Sequence, residues 1–93
     1  MSNKPAHEIR RTGAALKVVI WRNTDNEGRN WYSVDVLRSY KKGDETWKET
    51  RSLGQDDILP ARKLLDLADT WIMHQLQADA KARKEQAKQP TAA

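Results

Sequence analysis

The sequence predicts an α+β domain: an antiparallel meander of three to four strands, then one long C-terminal helix packed on one face. Three observations predict it. AALKVVIWRN (14–23) and NWYSVDVLRSY (30–40) are rich in β-branched and aromatic residues, as a half-buried pleated surface requires. KKGDE (41–45) supplies a hairpin turn with Gly43 free to take positive φ, and TWKETRSL (46–53) runs back from it. After Gly54 the apolar period changes from two to about 3.6.

In chain order, residues 1–7 are polar, carry Pro5 and read as a flexible N-terminal arm. HEIRR (7–11) is a short strand broken by Thr12-Gly13, and TDNEGRN (24–30) is the turn between the two long strands. The helix repeats Ile58, Ala61, Leu65, Ala68 and Ile72, with Leu64 and Trp71 on the flanks. Asp57 as N-cap places Pro60 at the third helical position, where its missing N–H has no partner to lose. The helix therefore starts near residue 57 and runs at least to Leu76. The single domain is expected over 8–76. Residues 77–93 form a solvated helical extension and a frayed tail, because no large apolar residue follows Leu76 to dock it.

Alternation divides the strand residues between two faces. Leu16, Val18, Ile20, Val34 and Val36 belong under the helix, with Val34, Val36, Ile20, Leu65 and Trp71 expected in the core. The opposite face then carries Trp21, Trp31 and Trp47 among Lys17, Arg51 and small polar residues. One tryptophan per strand on a half-wet face is the composition of a stacking platform, where bases lie on indole rings and cations hold phosphates. The competing reading buries these tryptophans in a dimer interface or under the N-terminal arm.

Ninety-three residues make one domain at most, and alanine provides 11 of the apolar residues, so a homodimer that extends a modest core is expected. The net charge is +4. Residues 1–54 hold eleven basic and seven acidic side chains, and residues 55–72 hold two basic and four acidic. Sheet and helix thus differ in sign, and the positive sheet favours a polyanionic partner. Cysteine is absent, and His7 and His74 have no partner at metal-ligand spacing, so neither a metal nor another cofactor is expected. No phosphate-cradling glycine loop or nucleophile elbow occurs, and the chain reads as a non-enzyme. The opening residues hold no apolar leader, and no stretch has the length of a membrane span, which places the chain in the cytoplasm.

The stretch WYSVDVLRSYKKGDETWKETRSLGQDDILPARKLLDLADTWI, preceded by KVVIW, resembles a family of short uncharacterised bacterial proteins over residues 7–72. That resemblance implies no activity. The layout, a meander followed by one long helix, is similar to the positive-cofactor coactivators and Whirly proteins, which bind single-stranded DNA. The likeness is one of topology, and topology does not fix function.

The function expected is low-specificity binding of single-stranded DNA or RNA. Trp21, Trp31 and Trp47 would stack, while Lys17, Arg22, Arg38, Lys41, Lys42, Lys48 and Arg51 would meet phosphates. The alternative is a protein-interaction module, an adaptor or an inhibitor carried by a mobile element, that uses the same aromatic-basic surface against a protein partner.

Overall fold

The computed structural model describes residues 4–43 and 46–88. Four strands, β1 (His7–Arg10), β2 (Leu16–Thr24), β3 (Asn30–Lys42) and β4 (Thr46–Thr50), form one antiparallel sheet in the order β1-β2-β3-β4. A 3₁₀ turn (Gln55–Asp57) leads into the helix α1 (Ile58–Lys88). This is the α+β layout expected. His7, where the expected arm (1–7) and the expected first strand (7–11) overlap, is the first residue of β1 and pairs with Ile20. The expected fraying from Gln89 onward lies outside the described residues.

The turns follow local chemistry. Gly13, Gly28 and Gly43 all take positive φ, at 81°, 79° and 64°, which glycine adopts without a Cβ penalty. In the β2–β3 turn the Asp25 carboxylate accepts backbone N–H bonds from Glu27 and Arg29, each at 2.9 Å. These bonds hold its pKa below the ordinary aspartate value.

One face of the sheet is sealed by α1. Leu16, Val18 and Ile20 of β2 cluster with Ala61, Leu64 and Ala68 of the helix, all of them buried. Ile9, Tyr32, Val34, Val36, Leu53, Trp71 and Ile72 pack around that cluster. The strand alternation held, but the helix phase differs from expectation. Leu64 is 1% exposed, whereas Leu65 is 45% and Ile58 55% exposed. Apolar residues occupy two overlapping seams on α1, and Trp71 decides between them. Its ring stacks on His7 of β1 (centroids 4.9 Å) and meets Tyr32 of β3 edge-on (6.0 Å), which turns Leu64 inward and Leu65 outward.

The helix start also differs. Asp57 is the last residue of the 3₁₀ turn, not the N-cap, and its carboxylate accepts the Gly54 N–H at 2.8 Å. Pro60 still lies in the first turn of α1, where no N–H is required.

Polar clamps tie the helix to the sheet at both ends. Near its start, Arg38 donates to the Ser52 carbonyl (3.0 Å) and lies 3.6 Å from Asp57. Further along, Tyr32 donates to Asp79 (2.8 Å), and Arg22 donates to Tyr32 (3.2 Å) and to Gln75 (3.1 Å). Desolvation raises the Tyr32 pKa. The Asp79 bond docks the helix beyond Leu76 without any large apolar side chain. Because α1 begins beside Arg38 and passes the β2–β3 turn, the β3–β4 hairpin and the helix tail project from opposite ends. The molecule measures 67 × 30 × 19 Å.

Candidate functional site

The strand register places Lys17, Val19 and Trp21 of β2 on the face away from the helix, with Trp31, Ser33, Asp35, Leu37, Ser39 and Lys41 of β3. Glu8 and Arg10 of β1 and Trp47 and Glu49 of β4 share that side, and Arg51, just past β4, reaches Asp35 on it. All three tryptophans proposed to stack are therefore on the open face. They differ in exposure: Trp31 is 54% and Trp47 66% exposed, while Trp21 is half-buried and its indole N–H donates to Asp35 Oδ2 (3.2 Å).

Their spacing sets what they can do together. Trp21 pairs with Ser33 and Trp31 with Asn23, so the two rings are diagonal neighbours across β2 and β3. Trp47 sits opposite Lys41, ten residues along β3 from Trp31. At a strand rise of ~3.3 Å per residue this is about 33 Å. The tryptophans thus mark two ends of a long face rather than one continuous stack.

Between those ends lies a charge network. Lys17 Nζ is 2.8 Å from Glu49 and 3.4 Å from Glu8, with a side chain only 14% exposed. The Glu49 hydrogen bond raises the Lys17 pKa, outweighing the lowering effect of desolvation. Arg51 reaches Asp35 at 3.3 Å, although most of its guanidinium side chain remains in solvent. Lys17 is committed within the molecule, and a phosphate at that point would have to displace two carboxylates.

Among the other cations proposed for phosphates, Arg22 and Arg38 share the parity of the core residues and face the helix. Both are engaged there by the clamps described above. Lys41, Lys42 and Lys48 belong to the hairpin that extends past the helix start, Lys41 on the open side and the other two on the reverse. All three are exposed and form no ion pair among the described residues. Tyr40 adds an aromatic ring to the reverse side, with Arg38 5.8 Å from its centroid. The hairpin thus gathers three exposed lysines around Trp47, in a sequence that also carries Asp44, Glu45 and Glu49.

The Glu8–Lys17–Glu49 bridge and the Tyr32–Asp79 anchor were missed from sequence. Each joins strands or elements far apart in the chain, and only parity, which puts Glu8, Lys17 and Glu49 on one side, hinted at the first. No described set of His, Cys, Asp and Glu residues is placed to hold a metal ion, and no described helix is long and apolar enough to cross a membrane. The site and fold define a four-stranded sheet backed by one helix, with an open aromatic face and a hairpin that carries three exposed lysines. No protein-family model, curated protein or solved structure matches the chain.

Proposed function

We propose that this protein binds single-stranded nucleic acid with low sequence specificity along the open sheet face and the β3–β4 hairpin. The observation that carries the reading is the pairing of exposed Trp47 with exposed Lys41, Lys42 and Lys48 on one projecting hairpin, and of exposed Trp31 at the far end of the same face. Indole rings stack on any base, and ammonium groups on a projecting element meet phosphates without desolvating a core. Trp47 and the lysines are then the primary contacts, Trp31 and Trp21 extend the track, and Arg51 contributes by exchanging Asp35 for phosphate.

A second reading stays in play because the middle of the open face carries Glu8, Asp35 and Glu49 beside its cations, which suits a protein partner better than a polyanion. Salt separates the two. Fluorescence titration with single-stranded DNA, RNA and duplex across a salt series is expected to give a steep linear log–log dependence for the single strands. Trp31→Ala is expected to weaken that binding by about 1–3 kcal/mol without unfolding the domain, and Lys41→Ala to lower the slope by about 0.7. Absence of binding by the wild-type protein at low salt rejects the nucleic-acid reading and leaves the protein-interaction module.

A further inference from the structure

The outer edge of β3 is unequally covered. β4 pairs only with Arg38–Lys42, so Asn30–Leu37 carry no strand on that side. Natural edge strands are usually shielded by lysine, proline or a covering loop. This one has neither residue, and among these positions only Asp35 is charged.

The helix overhangs the same edge with an apolar flank. Going round α1, Trp71 meets His7 of β1, Gln75 meets Arg22 of β2, and Asp79 meets Tyr32 of β3. Continuing in that sense by about a quarter turn from the buried seam brings out Ile58, Arg62, Leu65, Asp69, Ile72 and Leu76. They recur at intervals of four and three, the repeat of a helix–helix seam. Ile58, Leu65 and Leu76 are 55%, 45% and 45% exposed, and Arg62 and Asp69 form no ion pair among the described residues.

We propose that this edge and flank together form a two-fold interface with a second copy of the chain, β3 pairing antiparallel with β3 and α1 packing antiparallel on α1. Spacing supports it. The helix packs mainly on β2 and β3. Seated between them, it stands about 2–3 Å inside β3, so two copies joined at ~4.8 Å between edge strands bring their helices about 10 Å apart, a normal packing distance. Charge selects the direction. Parallel helices would stack Arg62 on Arg62 and Asp69 on Asp69. An antiparallel pair centred near Leu67 sets Ile58 against Leu76 of the second copy and Arg62 level with its Ile72, within about one turn of its Asp69. One two-fold axis normal to the sheet satisfies both elements, and an isologous contact of this kind closes at two copies. It also leaves both open faces on the same side, free of the interface. The open face is a poorer alternative, because Lys17, Glu8, Glu49, Arg51 and Asp35 already satisfy one another there, whereas Arg62 and Asp69 have no ion-pair partner among the described residues. The proposal does not depend on nucleic-acid binding.

Mass measured by sedimentation equilibrium is expected to show a dimer. Arg62→Asp and Asp69→Arg, both at exposed positions, should each weaken association at least about tenfold with an unchanged circular dichroism spectrum. The double exchange Arg62→Asp/Asp69→Arg should restore it, since the opposite charges meet again. Hydrogen exchange should show amides of residues 30–37 gaining protection as protein concentration rises. A monomeric wild type, a double exchange that fails to restore the dimer, or dissociation by Trp31→Ala but not by Arg62→Asp overturns the proposal.

Discussion

Val18 and Val19 are consecutive in β2, and both are nearly dry, at 0% and 4% exposed, yet they are kept dry by different means. Val18 lies under Ala61, Leu64 and Ala68 of the helix, in a cluster made only of hydrocarbon. Val19 has Glu8 and Asp35 as cross-strand neighbours and Lys17 and Trp21 beside it on the same face, and no helix above. On that face it is flanked by Lys17, which Glu8 and Glu49 hold with only 14% of its side chain exposed, and by half-buried Trp21. One side of the strand excludes water by packing, the other by pinned polar side chains.

The largest effect expected from this contrast is on the packed side. Leu64→Ala should lose about 2–5 kcal/mol of stability in denaturant melts, because the sheet cannot collapse into the space left beneath the helix. Val18→Thr should cost about 1–3 kcal/mol, the penalty of a buried hydroxyl without a partner. The same change one residue later, Val19→Thr, should cost under about 1 kcal/mol, since Glu8 and Asp35 are at hand to accept the hydroxyl. Equal costs at the two positions would erase the distinction.

The pinned cover also has a pH signature. Lys17 has a raised pKa in the folded state, so its contribution is complete below the unfolded value of 10.5 and is lost as pH rises through the higher folded value. The stability difference between wild type and Lys17→Met should therefore be flat at neutral pH and shift against the wild type above 10.5. The smallest effect belongs to the tail, which covers neither side of β2. Removing the residues after Ala82 keeps the Tyr32–Asp79 bond and should change stability by less than about 0.5 kcal/mol in thermal melts.

Parity made the strands readable. Leu16, Val18 and Ile20 against Lys17, Val19 and Trp21 follows from the pleat alone, and the structure has that division. Helix phase was not readable to the same degree, because Ile58, Leu65 and Ile72 compete with Ala61, Leu64 and Ala68 for the same helix. The choice lies with Trp71 and the β1 histidine it stacks on, a contact 64 residues apart in sequence. For the candidate site, the face of each tryptophan was legible and the distance between them was not, since that depends on the extra length of β3 and on where β4 joins it. Lysines were legible as charge but not as free or committed charge. Lys17 and Lys41 look alike in sequence, and only cross-strand neighbours separate them.

The opposite projection of hairpin and helix tail has a hydrodynamic consequence. A compact chain of this length has a radius of gyration of about 12 Å, whereas this one has 17.8 Å. Such a shape drags more solvent than its mass implies, so a single copy will elute from a sizing column with the globular standards of a heavier protein. Elution volume would thus report two copies whether or not they form. Only a shape-independent mass, from sedimentation equilibrium or light scattering, can count them.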